Sequence, residues 1–212
     1  MYLPPSFAET RAEVLRDLIH THPLATLVAL SSDGLVANHL PLQLDSADGT
    51  PGLLRGHIAR ANPLWRNYQA GTDALAIFHG PQAYVSPSWY PSKVATGAVV
   101  PTWNYVVVHA HGPLRFIDDP VWLQAHVTAL TAQHEGSRPT PWQVSDAPPP
   151  YLANMLQAIV GFELPVTRIE GKWKLSQNRT ELDRAGAAQG LQTSDDPHAQ
   201  QVGRLVADRA RT

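Results

Sequence analysis

The 212-residue sequence predicts an α+β fold, with antiparallel strands in a barrel-like sheet and helices on its flanks. Three observations carry this. β-rich runs crowd the first half, while helical periodicity flanks them and dominates the C-terminal part. Turn chemistry of the hairpin kind, Ser31-Ser32-Asp33-Gly34, joins two of those runs directly. There is no regular strand–helix–strand alternation, so a doubly wound parallel sheet is disfavoured.

The elements follow in order. A helix is expected over 10–20, where Val14, Leu15, Leu18 and Ile19 share a face, Thr10 and Glu13 have capping-box spacing, and Pro23 stops the chain. Strands are expected over 24–31 and 35–44. Pro41 marks the second as an edge strand or a bulge, because it has no N–H for a central ladder. A polar loop over 45–52 leads to a strand over 53–58. Asn62 reads as a helix N-cap and Pro63 as the first helical residue. A strand over 74–79 is expected to turn at Gly80-Pro81. Residues 86–91 form an aromatic loop, and 92–99 are expected to be flexible. Residues 102–117 read as a long strand or a bent pair.

Asp118-Asp119-Pro120 opens a helix over 121–134 that buries Leu123, Val127 and Leu130. A proline-rich loop (136–150), a short helix (151–158) and a strand (161–170) come next. Helices over 180–191 and 198–211 end the chain. The expected division is a main domain over 1–192 and a peripheral helix over 193–212.

Composition narrows the function. A hydrophobic fraction of 43% is globular. A net charge of −2 and a pI of about 6.5 argue against a broad nucleic-acid footprint. With no cysteine, disulfides, thiolate metal sites and cysteine nucleophiles are excluded. The first 22 residues carry five charges (Glu9, Arg11, Glu13, Arg16, Asp17) and no signal-peptide core. Residues 94–114 are uncharged, but Pro101, Asn104, His109, His111 and Pro113 argue against a membrane span. A soluble cytoplasmic protein is expected.

The chemistry centres on residues 100–112, V-P-T-W-N-Y-V-V-V-H-A-H-G. Thr102, Asn104, His109 and His111 sit among aromatic and β-branched residues, so this strand either packs on polar partners or lines a site. From Ala74 to Leu114 the only formal charge is Lys93, beside many Trp, Tyr, Asn, Ser, Thr and His residues. That surface suits a flat heteroaromatic ligand. Two phosphate seats are candidates: the strand-to-helix turn with Arg60, and the basic stretch Lys172, Lys174 and Arg179 with Ser176 and Gln177. Trp65, Trp89, Trp103, Tyr90 and Tyr105 could stack on a ligand or serve packing. His109 and His111 face one side of a strand. Without cysteine or a carboxylate nearby in sequence they read as packing histidines, and no metal is expected. Dinucleotide, P-loop, zincin, nucleophile-elbow and EF-hand motifs are all absent from the sequence.

Five stretches occur in an order that resembles the PaiB-type family of FMN-binding negative transcriptional regulators. They are Asn38-His39-Leu40-Pro41; Gly56-His57-Ile58-Ala59-Arg60-Ala61-Asn62-Pro63; Gly80-Pro81-Gln82-Ala83-Tyr84-Val85-Ser86-Pro87-Ser88-Trp89-Tyr90; Pro101-Thr102-Trp103-Asn104-Tyr105; and Lys174-Leu175-Ser176-Gln177-Asn178-Arg179. The resemblance runs from Met1 to about Leu191. It implies an antiparallel split β-barrel of the flavin-reductase and pyridoxamine-phosphate-oxidase type, usually a homodimer with FMN at the subunit interface. By that analogy Asn38, His39 and Leu40 would lie along the flavin ring, and His57, Arg60 and Asn62 near the phosphate. Trp89, Thr102, Trp103, Asn104, Lys174, Ser176, Gln177 and Arg179 would complete the pocket. The function implied is an FMN-binding regulator, with DNA or a protein as partner; the slightly negative charge and the lack of a helix-turn-helix speak against direct DNA contact. A flavin-dependent oxidoreductase is the alternative, with His57, His79 or His109 as its acid–base group. Haem binding is a third option that the histidine count permits.

Overall fold

A computed structural model describes residues 1–45 and 52–209. After a single 3-10 turn at Pro5–Phe7 the chain forms β1 (Ala8–Glu9), α1 (Ala12–Thr21), β2 (Leu24–Ser31), β3 (Gly34–Pro41), β4 (Gln43–Asp45), β5 (Leu53–Ala59), α2 (Leu64–Asn67) and β6 (Asp73–Val85). There follow a 3-10 turn at Pro87–Trp89, α3 (Ser92–Thr96), β7 (Thr102–Pro113), β8 (Arg115–Ile117) and α4 (Pro120–Glu135). The rest comprises a 3-10 turn at Val144–Asp146, α5 (Pro149–Gln157), β9 (Ile159–Pro165), β10 (Arg168–Lys174), α6 (Glu181–Gln192) and α7 (Pro197–Asp208). The expected loop over 45–52 lies mostly outside the described residues, as does the end of the last expected helix.

The chain divides into two units, each made of separate segments. The first takes Met1–Leu18, His79–His109 and Glu170–Thr212; the second takes Ile19–Phe78 and Ala110–Ile169.

In the first unit the strand order is β1-β10-β7-β6. β1 pairs antiparallel with β10 through Ala8↔Lys172 and Glu9↔Gly171. The buried Glu9 carboxylate accepts the N–H groups of Thr10 and Arg11 at 3.1 Å and pairs with the Arg11 and Arg209 guanidinium groups at 2.7 and 2.6 Å. The helix starts at Ala12, with the Glu9 carboxylate holding the N–H groups of the two residues before it in place of the expected Thr10–Glu13 box. The two arginines hold the Glu9 carboxyl down to about 2. Helix α7 is not peripheral: Ala199, Val202 and Val206 are buried, and Arg209 reaches Glu9.

In the second unit β2 carries β3 on one side, from Leu24↔Pro41 to Ser31↔Gly34, and β6 on the other, from Ala25↔Phe78 to Val28↔Leu75. A second sheet runs β4-β5-β9-β8, all antiparallel. Its core includes Leu42, Leu54, Ile58, Phe162 and Leu164. β3 ends its sheet, so Pro41 does sit on an edge. The expected strand over 35–44 is two strands in two sheets, broken at Leu42, whose N–H donates to the Pro23 carbonyl at 2.9 Å.

Other differences have local causes. β6 does not turn at Gly80-Pro81. Its exposed positions run 73 and 79, then 82 and 84, so the alternation slips by one residue there. That slip is what a bulge produces, and it tolerates a proline. Residues 92–96 form a short helix closed by Gly97 at φ 67°. The strand expected over 161–170 is the end of β9 and the start of β10, with a turn between them.

Candidate functional site

The expected cofactor residues fall into two groups, one in each unit. In the second unit Asn38 and Leu40 are half-buried on β3 while His39 is exposed. The Asn62 side-chain NH2 donates to Asn38 Oδ1 at 2.7 Å, and Asn62 Oδ1 accepts the Leu64 N–H at 3.0 Å. Asn62 thus caps α2, although the helix begins one residue later than expected. These two asparagines, with Ser31, Asp33, Val36 and Asn67, line a groove of about 250 Å³. That is smaller than an ordinary small-molecule pocket of roughly 300–1,000 Å³.

Arg60 has protein partners of its own. Its guanidinium donates to both Asp118 oxygens at 2.7 and 2.5 Å, to the Gln157 carbonyl at 2.6 Å and to the Ile159 carbonyl at 3.0 Å. Four of its five N–H groups are therefore committed. Asp118 holds the guanidinium pKa above its usual value, and Arg60 holds the Asp118 carboxyl below its own. With α2 only one turn long, this turn is a brace joining β5, α4 and α5.

His57 also has an internal partner. Its Nδ1 lies 3.1 Å from His126 Nε2 on α4, and Trp122 stacks on His126 with centroids 5.1 Å apart. Gly161 makes room, since a Cβ there would lie 2.2 Å from the Trp122 ring. The buried position on α4 is His126, three after the buried Leu123, where Val127 is expected from the sequence. Burial lowers the pKa of His57; burial and then His57 and Arg55 lower that of His126 to about 4. The folded state therefore binds fewer protons than the unfolded chain between about pH 6.5 and 4. Stability is full above this window and falls as the pH drops through it. The expected loss is on the order of 2 kcal/mol, below the full shift because solvent screens part of the charge. Urea melts at pH 7 and pH 4.5, on wild type and His126→Phe, check this; the variant should lose most of the difference.

The group in the first unit is more closely knit. The Lys174 ammonium donates to Thr102 Oγ1 and to the Trp103 carbonyl, both at 2.5 Å. Asn104 and Ser176 are buried and exchange hydrogen bonds at 2.9 and 3.3 Å. Ser176 holds φ at 63°, a left-handed position that is costly for a residue with a Cβ. The Gln177 side chain closes the turn by accepting the Leu175 N–H at 2.7 Å and donating to the Trp173 carbonyl at 2.5 Å. That turn aims Arg179 over the Tyr90 ring at 5.0 Å. The Tyr90 hydroxyl is buried without a hydrogen bond of good geometry, and burial pushes its pKa up. Trp89 packs on α6, its ring against Gly190 and its carbonyl against Gly186. Trp103 is half-exposed and meets Tyr84 edge-on at 6.1 Å.

Lys172, Lys174 and Arg179 gather positive charge here, and none of the three is in an ion pair among the described residues. Burial and then the charges of Lys172 and Arg179 lower the Lys174 pKa. Asp183 lies within reach of that field, but both its oxygens are held by Ser92 at 3.1 and 2.7 Å. A cluster of cations without a counter-ion is an anion seat.

Comparison with known proteins gives the family. Residues 1–168 match the family described as "Putative FMN-binding domain". Along 100% of its length the chain is 34% identical to the "Protease synthase and sporulation protein PAI 2" of Bacillus subtilis (strain 168), covering 99% of that protein. An uncharacterized protein of Emericella nidulans is 32% identical over 99% of this chain and 97% of its own. Among solved structures, the flavocytochrome Anf3 from Azotobacter vinelandii superposes with a TM-score of 0.60 at 13% identity, over 92% of this chain and 75% of that one. The FAD and heme binding protein from Mycobacterium smegmatis gives 0.54 at 18%, over 79% and 73%. At such identities these two structures speak to fold alone. This chain belongs to the "Putative FMN-binding domain" family, shares the α+β split-barrel fold of its structural neighbours, and has FMN as its cofactor.

Proposed function

We propose that the chain is a cytoplasmic PaiB-type regulator that works as a homodimer and seats the FMN phosphate on Lys174 and Arg179. The observation that carries this is the cationic cluster without a carboxylate partner among the described residues, at the end of a strand rich in hydrogen-bonding and aromatic groups. The residues fit the cofactor: a phosphate supplies the missing counter-charge, and the Tyr90 hydroxyl beside Arg179 has a donor to spare. Lys174 and Arg179 bind and Thr102 positions Lys174, while the Asn104–Ser176 pair and Gln177 fix the turn that carries Arg179. Trp103 offers an exposed indole for stacking. FMN, when bound, supplies electron-transfer chemistry that this chain's side chains lack.

A second copy of the chain would cover Tyr84, Val94, Val100 and Trp103, which are 48 to 92% exposed within one unit. Net charge and pI favour a protein partner over direct DNA contact in regulation. Among the described residues no helix is long and apolar enough to cross a membrane.

Titration of FMN fluorescence, with sedimentation on the same sample, tests the reading. The expected result is about one FMN per subunit on a dimer, released by salt as a phosphate contact requires. A monomer that fails to quench FMN would overturn it. Arg60→Ala should lower the melting temperature and leave the FMN titration within about twofold, since the guanidinium is already spoken for by Asp118.

A further inference from the structure

A cavity of about 470 Å³ opens on the first unit beside the anion seat. Its wall is the outward face of three strands: His79 and Gln82 from β6, Tyr105, Val107 and His109 from β7, and Lys172 from β10. The spacing follows from strand geometry. Residues 105, 107 and 109 share one face of β7, and the slip at Gly80-Pro81 returns Gln82 to the face that His79 occupies. Tyr2 closes one side.

Lys172 is the centre of this cavity. It is 8% exposed, so its charge is largely withdrawn from water. Its ammonium donates to the Tyr2 carbonyl at 3.0 Å and lies 5.6 and 5.4 Å from the Tyr2 and Tyr105 ring centroids. An ammonium has three donors, and ring faces compensate a buried cation only in part. The nearest acid on the same strand, Glu170, is held by the Met1 amine at 3.4 Å. Among the described residues Lys172 is in no ion pair.

We propose that this cavity binds a small planar carboxylate, with the carboxylate on Lys172, the flat body between Tyr105 and Val107, and His79 and Gln82 at the far end. The volume lies within the range of small-molecule sites and exceeds what a bare inorganic anion needs. A buried ammonium selects an anion. Aromatic and aliphatic walls select a flat apolar body. The imidazole and amide at the far end offer hydrogen bonds to a polar substituent there. Lys172 adds to the positive field of the phosphate seat, but the FMN reading is tested at Lys174 and Arg179 and this one by the benzoate-dependent shifts of His79 and His109, so the failure of either is distinguishable from the failure of the other.

Benzoate is the probe, with benzamide as its neutral counterpart, titrated into the full-length protein and followed by calorimetry. Benzoate is expected to bind at least about tenfold more tightly than benzamide, the ratio a charge-assisted hydrogen bond supports. Lys172→Gln should abolish that preference and Lys172→Arg should restore most of it. Because Lys172 also ties down the N-terminal segment, the imidazole resonances of His79 and His109 are followed in the unmodified protein, where benzoate should shift them. Equal binding of benzoate and benzamide, benzoate affinity unchanged by Lys172→Gln, or shifts that spare both histidines would each overturn the proposal.

Discussion

The double variant Lys174→Gln/Arg179→Gln is expected to lose FMN affinity by about 100- to 1,000-fold while remaining folded. A hydrogen bond from a charged donor to an anion contributes about 1.5–3 kcal/mol, and two such donors acting on one phosphate give about 3–4 kcal/mol after allowing for non-additivity. The fold should survive because neither cation is in an ion pair among the described residues. Each sits instead in a field of like charge, which is why Lys174 is already shifted toward its neutral form by burial and by Lys172 and Arg179. Removing the two charges relieves that repulsion, so without FMN the variant should melt no lower than Thr102→Val, which removes only the 2.5 Å hydroxyl contact to Lys174. Salt provides a second readout. Wild-type affinity should fall as ionic strength rises, and the variant's should be nearly flat. If the variant bound FMN as tightly as wild type, with the same salt dependence, the phosphate would have to sit elsewhere.

Most of the secondary structure could be read from periodicity and turn chemistry, because both are local. Ser31-Ser32-Asp33-Gly34 gave its hairpin, and Asp119-Pro120 opened α4 with Asp119 Oδ1 accepting the Val121 N–H at 2.8 Å. Failures came where one local signal had two physical outcomes. Gly80-Pro81 suits a turn and a bulge equally, and only pairing on both sides of β6 decides. Pro41 marked an edge, but not that the chain leaves one sheet for another a residue later. The site was legible in part. Lys174, Ser176, Gln177 and Arg179 lie close in sequence, and Thr102 and Asn104 were singled out as polar groups on an apolar strand; the structure brings these together within one unit. The partner of Arg60, Asp118, is 58 residues away, and a free arginine looks like a paired one in a sequence. The contact of His57 with His126, 69 residues on, was hidden in the same way.

Gly186→Ala should destabilise the protein by about 2 kcal/mol, against the usual expectation for a glycine in a helix. In an exposed helix interior this change gains about 1 kcal/mol from backbone entropy and propensity. Here the new Cβ would lie 2.1 Å from the Trp89 carbonyl oxygen and 3.2 Å from Pro91 Cδ. The first of these is a backbone atom, so no rotamer change relieves it, and the 3-10 turn Pro87–Trp89 has to move away from α6 by about 1 Å. Overpacking of this kind costs up to about 3 kcal/mol, occasionally more, which outweighs the propensity gain. The movement also carries function. Tyr90 follows Trp89 directly and lies under Arg179 at 5.0 Å, and two residues further on Ser92 holds Asp183. A displaced turn frees Asp183 to compete for Arg179, so FMN affinity should fall together with stability. Gly190→Ala is the comparison. Its Cβ would meet the Trp89 ring at 2.3 Å, but a side chain can swing outward where a carbonyl cannot. Its loss should be smaller, and its FMN titration should stay closer to wild type. Thermal melts and FMN titrations on the two variants separate the cases. A Gly186→Ala protein as stable as wild type would mean that α6 and the Trp89 turn slide freely past each other, and that Arg179 is aimed by the Ser176–Gln177 turn alone.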